Sequence, residues 1–299
     1  MDRLQAMAIL IAVVETGSLS GAGRRLGAPL PTISRKISDL EAHLKTRLLI
    51  RSTRKLVLTD AGATYLAAAR RILEEVDAAE RSAAGEFITP RGELMIAAPI
   101  AFGRLHVLPL VNEFLACYPA INVRLALSDL NTHLIDDHID VAARIGALPD
   151  SAQVATKVGT VRRIVCASPA FLDAHGIPRT PADLAQLDAV TFDALSPPDL
   201  WRFQSPGGRT ELSTPVRSRV SVTTAEAAID AAIAGVGFTR ILSYQAAAAV
   251  EDGRLTVILA DFEGDALDVS LIHPGQGRMP LKTRAFLDMA APKLRATLA

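Results

Sequence analysis

Cysteine is almost absent from this chain. Only Cys117 and Cys166 occur, and they form no CxxC pair, which excludes a disulfide scaffold or a thiolate metal cage. One falls in a helix-like run and one in a strand-like run, so both are expected as buried free thiols. So few cysteines suit a reducing compartment. Net charge is also absent, with 32 basic and 32 acidic residues. There is no apolar run of about twenty residues, the length a membrane span needs. The apolar start, MDRLQAMAILIAVVETG, has the length of a buried helix and no cleavage site for a leader. No membrane contact is expected, and the expected location is cytoplasmic and nucleoid-associated. The six histidines show no paired ligand spacing; His133 and His138 are five apart, off one helical face. No nucleophile elbow and no phosphate loop appear. AGVGF resembles a dinucleotide glycine pattern but sits in a helix-to-strand turn, the reverse of what that chemistry requires. No catalytic residue, metal site or cofactor is expected, and the chain is not read as an enzyme.

What is present is asymmetry. Met1–Asp60 holds ten basic and five acidic residues, so the remainder is net acidic. Half the 299 residues are apolar, enough for a sizeable core and two or three domains. The stretch Gly17–Gly62 reads as two short helices with a tight turn, then a basic ribbon. Ser18 or Ser20 can cap the first helix, Ser20–Leu26. Gly27 and Pro29 make the turn, and Pro31 opens the second helix, where no amide hydrogen is needed. Ile33, Ile37, Leu40 and Leu44 form one buried stripe. Thr32, Ser34, Arg35, Lys36 and Asp39 then face out or flank it. Arg47–Thr59 reads as a small wing that carries Arg51, Arg54 and Lys55. A helix-turn-helix with an exposed, short-side-chain second helix can enter a major groove. Ser20, Pro31, Thr32, Ser34, Arg35, Lys36, Arg51, Arg54 and Lys55 are the candidate DNA contacts, to phosphates or base edges. The plainer reading of the same charges is a solvated basic surface.

Residues 4–15 read as a first helix with Leu4, Met7, Leu10, Ile11 and Val14 on one side. Gly21 and Gly23 inside the next helix imply either a soft helix or packing with no room for a methyl group. Residues 61–84 read as a long helix with Leu66, Ala69, Leu73 and Val76 at seam spacing. That suits a coiled coil between two copies or a helix packed on its own chain. Beyond the hinge Gly85–Gly92, strand-like and helix-like runs alternate. The alternation predicts parallel sheets with helices on both faces. The sheets divide into two small α/β subdomains, with crossovers near Gly159–Arg163 and Leu267–His273. A short helix is expected at Asn131–Asp137, and a Pro-rich loop at Ser196–Gly208 carries Trp201 and Phe203.

The motifs GSLSGAGRRL, PTISRKISDLE and LLIRSTRKLVLTDAG resemble the N-terminal domain of LysR-type transcriptional regulators. The likeness continues more loosely to the C-terminus, through GELMIAAPIAFGRLHVLPLVNEFLACYP and WRF. It implies an α/β fold class with an N-terminal all-α winged helix-turn-helix over 1–60. A linker or dimerisation helix and hinge follow over 61–89, then an effector domain over 90–299. That domain is two Rossmann-like subdomains resembling a type 2 periplasmic-binding-protein fold, about 90–162 with 268–299, and about 163–267. The implied partners are double-stranded promoter or operator DNA, a small organic effector, and further copies in a homodimer or homotetramer.

The resemblance also implies effector positions, which fall where ligands sit in open α/β sheets, beyond strand ends. At Pro99, Ile100, Ala101 and Phe102, where the family often has Ser or Thr, a helix start offers free amides to an anion. With no hydroxyls there and an apolar surround, an aromatic or hydrophobic acid is the expected effector. These residues could equally just pack a strand–helix corner. Ser128 ends a strand. Arg144 and Ile145 end another, and Arg144 could meet a carboxylate or form a structural ion pair. Thr224 could touch ligand or cap a helix, and Gly237 and Phe238 form the facing wall. Trp201 and Phe203 could cover the crevice or only pin their loop. The alternative overall reading is a small-molecule binding protein with a degenerate N-terminal dimerisation module.

Overall fold

Helix starts and stops in the first sixty residues follow local side-chain chemistry. In a computed structural model, which describes residues 2–51, 56–83, 89–129, 139–148, 153–192, 200–208, 210–275 and 279–298, helix α1 spans Arg3–Thr16. The Asp2 carboxylate accepts from the Gln5 N–H at 3.1 Å, and Gly17 ends the helix at φ 66°. Helix α2, Leu19–Leu26, is capped by Ser18, whose hydroxyl accepts from Gly21 at 3.0 Å. Such a cap contributes about 1 kcal/mol. Helix α3, Leu30–Leu44, carries Pro31 in its first turn. Strands β1, Leu49–Arg51, and β2, Leu56–Leu58, pair antiparallel as a ribbon. Helix α4, Asp60–Ala83, follows, with the Thr59 hydroxyl accepting from Gly62 at 2.9 Å.

Ile33, Ile37 and Leu40 of α3 are fully buried, each contributing about 1.5–3 kcal/mol of apolar burial. They pack on Ile9, Leu10 and Val13 of α1 and on Leu48 and Leu49. The expected face of α1 is corrected. Its buried residues are Ala6, Met7, Ile9, Leu10, Ala12 and Val13, while Leu4 is 40% exposed. This helix is apolar around most of its circumference, so spacing alone does not select a face. At Gly23 a Cβ would stand 2.8 Å from the Ala28 carbonyl oxygen, so tight packing explains that glycine. The early turns of α4 serve their own chain: Ala69 is buried, Tyr65 and Leu66 pack on the same core, and Arg70 pairs with Glu15 at 3.1 Å.

The chain divides into two compact units, Met1–Thr89 and Pro90–Ala299. The second begins with β3, Gly92–Ala98, then α5, Ile100–Phe102, a π-helical turn Gly103–Val107, and α6, Leu108–Cys117. Strands β4, Ile121–Leu127, β5, Val141–Ile145, and β6, Gln153–Val161, follow. Then come β7, Arg163–Ala167, α7, Pro169–His175, and β8, Asp188–Phe192. A hairpin of β9, Leu200–Gln204, and β10, Glu211–Pro215, precedes β11, Arg217–Val222. The chain continues through α8, Ala225–Ile233, β12, Phe238–Leu242, α9, Ser243–Glu251, and β13, Thr256–Ile258. It ends with β14, Leu267–Pro274, and α10, Leu281–Thr297.

Two five-stranded sheets result, ordered β4-β3-β5-β14-β6 and β11-β8-β12-β7-β13. Both are mixed, which corrects the expectation of parallel sheets. Strand β14 runs antiparallel to β5 and β6, and β7 antiparallel to β12 and β13. The antiparallel strands are those that carry the chain between sheets: it leaves the first after β6, enters the second at β7, and returns at β14. The first crossover is at Arg162. The second lies at 263–266, just before the expected position. Arg162 pairs with Glu263 at 3.3 Å, so the two crossings are clipped together.

The first sheet's core centres on Phe102, Phe114 and Phe286. Ile100–Cys117 is apolar and long enough, by length and composition alone, to cross a bilayer, but Phe102, Val107, Leu110 and Phe114 lie in this core. Cys166 is buried and Cys117 exposed, correcting the expectation of two buried thiols. Cys117 ends α6 on its outer side. Trp201 and Phe203, each 3% exposed, lie on β9 and not in a loop. Asn131–Asp137 lies outside the described residues.

Candidate functional site

In the first unit, burial of Ile33 and Ile37 fixes the rotation of α3. Pro31, Thr32 and Arg35 are then exposed, as is Ser20, while Ser34 and Lys36 are half-buried. Among the described residues Arg35 has no carboxylate partner. Arg25, by contrast, pairs with Glu15 at 2.5 Å. The ribbon is anchored by a residue that spacing does not single out. The Glu41 carboxylate accepts from the amides of Leu48 and Leu49 at 2.8 and 3.0 Å. Thr59 donates to the Arg47 carbonyl at 2.7 Å. Arg54, Lys55 and the side chain of Arg51 lie outside the described residues.

In the second unit, the start of α5 is not a vacant anion site. The Ile100 N–H donates to Asp129 Oδ1 at 3.0 Å, so the amide expected to be free is engaged by a carboxylate of this chain. Burial raises the Asp129 carboxyl above its ordinary range; the Ile100 bond opposes this and the charge of Glu226 adds to it. Glu226 itself pairs with Arg104 at 3.6 Å. Since Arg104 lies after β3 and Glu226 on α8, this pair joins elements of the two sheets.

Phe102, His106 and Tyr244 make an aromatic cluster beside it. Tyr244 of α9 meets Phe102 edge-on at 5.6 Å and His106 at 5.5 Å. Burial lowers the His106 pKa, and its Nε2 is buried with no hydrogen-bond partner. Burial first, then the charge of Asp129, raises the Tyr244 hydroxyl, with Gln245 opposing them and Glu226 adding to them. His106 and Arg104 both sit on the π-helical turn, a geometry that recurs at functional sites. Gly103 permits the turn's close approach: a Cβ there would fall 2.1 Å from Leu127 Cδ2. Among the described residues no group of three His, Cys, Asp or Glu side chains could hold a metal ion.

Residues 4–63 match the bacterial regulatory helix-turn-helix protein, lysR family, and residues 88–295 match the LysR substrate binding domain. The chain belongs to the LysR family of transcriptional regulators. It is 32% identical over 290 residues to an HTH-type transcriptional repressor of Pseudomonas aeruginosa, covering 96% of this chain and 91% of that one. It is 29% identical over 288 residues to the HTH-type transcriptional activator AaeR of Escherichia coli, covering 96% and 93%. Among known structures, the LysR-type regulator CrgA from Neisseria meningitidis aligns at TM-score 0.62 and 28% identity, covering 97% and 98%. LysR regulators bind DNA and small-molecule effectors and are not enzymes.

The LysR frame sorts the candidate effector residues by exposure. Pro99, Ile100, Ser128, Arg144 and Ile145 are half-buried. Thr224 caps α8, its hydroxyl accepting from Ala227 at 3.3 Å. Ala101 is 3% exposed, and Phe102 and Phe238 are fully buried. Phe102, expected either to make the site apolar or to pack the strand–helix corner, and Phe238, expected in the facing wall, are both core residues. Phe102 fills the first core, and Phe238 meets Trp201 edge-on at 5.3 Å. Gly237 is backed against the Asp188 carbonyl oxygen, 2.3 Å from where a Cβ would be. Trp201 and Phe203 pin their hairpin. Sequence reasoning misses Asp129, Arg104, His106, Glu226 and Tyr244. Asp129, one residue past Ser128 at a strand end, is the one a search for carboxylates facing helix starts could have found.

Proposed function

We propose that this regulator reads duplex DNA with the first turns of α3, and answers to a small organic effector held between its two sheets. The exposed trio Pro31, Thr32 and Arg35 above the sealed Ile33 and Ile37 carries the reading. A helix held this way offers short polar side chains and one guanidinium to a groove. Ser20, Ser34, Lys36 and the basic residues Arg51, Arg54 and Lys55 supply phosphate and register contacts. Two copies are joined in part through Leu73 and Val76 of α4, and two such heads grip adjacent major grooves. The effector lies near Pro99, Ile100, Ser128, Arg144, Ile145 and Thr224. Its body is apolar, and Asp129 with Glu226 turns any carboxylate on it away from the helix start. Its binding shifts the protein only so far as it favours one arrangement of the sheets over another.

The test is fluorescence anisotropy of the full chain on duplex from its own upstream region, across a range of salt. Log affinity should fall against log salt with a slope of about −0.9 per phosphate neutralised. Arg35→Ala should lose specific binding by tenfold or more with its sedimentation unchanged. A flat salt response, or a variant altered only in assembly, overturns the reading.

A further inference from the structure

Strands β7 and β12 pair antiparallel, with Leu242 opposite Arg163 and Arg240 opposite Val165. Arg163 and Arg240 are therefore diagonal neighbours on one face, within reach for long side chains. The β9–β10 hairpin packs over that face. The Arg240 guanidinium lies 4.9 Å from the Phe203 ring centre and 5.8 Å from that of Trp201, and it donates to the Arg202 carbonyl. The Nε of Arg163 is buried with no acceptor. Neither arginine has a carboxylate partner among the described residues. Among the described residues, the acidic groups of this lobe that form ion pairs do so with other arginines: Glu263 with Arg162, Asp188 with Arg217 and Arg219, Glu211 with Arg202, Asp252 with Arg254, and Glu226 with Arg104.

Both arginines have lost solvent. Burial lowers the pKa of Arg163. Burial and then the charge of Arg163 push Arg240 down to about 10. Two like charges brought together out of water are costly unless something of opposite sign joins them. Each is only half-buried as a residue, so the pair remains reachable from solvent. A guanidinium presents parallel N–H groups that match an oxyanion.

We propose that Arg163 and Arg240 form a binding site for a small oxyanion, a carboxylate or a phosphate. The anion accepts from the solvent-reachable guanidinium nitrogens of Arg163 and Arg240. The site is separate from the start of α5 and needs neither DNA nor the effector. It borders the first crossover, because Arg162 precedes it and accepts from the Ser243 amide at 2.8 Å.

Trp201 is the chain's one tryptophan, so intrinsic fluorescence reports on this site. The experiment titrates the full chain with sodium acetate, and separately with inorganic phosphate, at constant ionic strength set with chloride. A saturable fluorescence change is expected with at least one of them, and the tighter of the two names the headgroup. Arg163→Met should weaken half-saturation by tenfold or more, and Arg163→Lys by less. The thermal midpoint of the wild type should rise with the same anion. No saturable change with either anion overturns the proposal, as does equal half-saturation in Arg163→Met. Should Arg163→Met fail to fold, Arg163→Gln takes its place, and the wild-type titration decides by itself if it is flat.

Discussion

Asp129 and Ile100 meet at 3.0 Å, carboxylate to amide, and that bond occupies the first donor of the helix run that begins the second unit's core. Asp129→Ala should cost about 1 kcal/mol, the usual loss of a helix cap. For a unit of this size that lowers the thermal midpoint by about 2–4 °C. Asp129→Asn keeps an oxygen in place and should melt close to the wild type. An unchanged midpoint in the alanine variant would mean the bond does not hold the helix start.

Gly62 sits where the ribbon meets α4. A Cβ there would fall 2.0 Å from the Leu48 carbonyl oxygen, and backbone on both sides leaves little room to yield. Gly62→Ala should destabilise the first unit by about 1–3 kcal/mol, the ordinary cost of overpacking. Limited proteolysis within residues 1–89 should speed up accordingly. A variant cut at the wild-type rate would show that α4 and the ribbon separate freely.

The two thiols should react at very different rates. Cys117 is exposed, while Cys166 is buried and pushed up to about 12, and reactivity follows the thiolate. A chromogenic disulfide reagent at pH 8 should titrate one thiol quickly and the other only after denaturant is added. Cys117→Ser should abolish the fast phase. Two fast thiols in the native wild type would contradict the packing around Cys166.

His106 gives stability a pH dependence of definite sign. Its folded pKa lies below the ordinary 6.5. Between those two values the unfolded chain binds a proton that the folded chain refuses. Stability from this group is thus complete above pH 6.5 and declines as the pH falls toward the folded value. The raised carboxyls Asp129 and Glu263 act with opposite sign. The rise in denaturant midpoint from pH 5.5 to pH 7.5 should be smaller, or turn into a fall, in His106→Phe relative to the wild type. Equal differences would remove the imidazole from the account.

Helix α3 is legible because its cues are local. Pro31, the four-three-four apolar spacing and the Gly27 turn all lie within twenty residues, and each has one structural meaning. The inner face of α1 is not legible, since Leu4 and Ile9 look alike to any periodicity. The surroundings of α5 are only partly so. Spacing finds the strand ends, but Asp129 and Glu226 come near each other through two sheets that sequence order does not align. Arg163 and Arg240 escape for a related reason: only the register of β7 on β12 makes them neighbours. The roles of Phe102 and Phe238 are not separable in the sequence, because an aromatic at a strand end serves a core as readily as a cavity.

Among the described residues strand β6 pairs only with β14, and β14 begins at Leu267. A ribosome delivering this chain from its N-terminus has made the whole second sheet, β7 through β13, before β6 has any strand to join. The earlier sheet must therefore wait, edge open, while the later one is completed. Its closure falls to residues translated after β13, so a premature stop at that point would spare the inserted lobe and leave the lobe that precedes it unfinished.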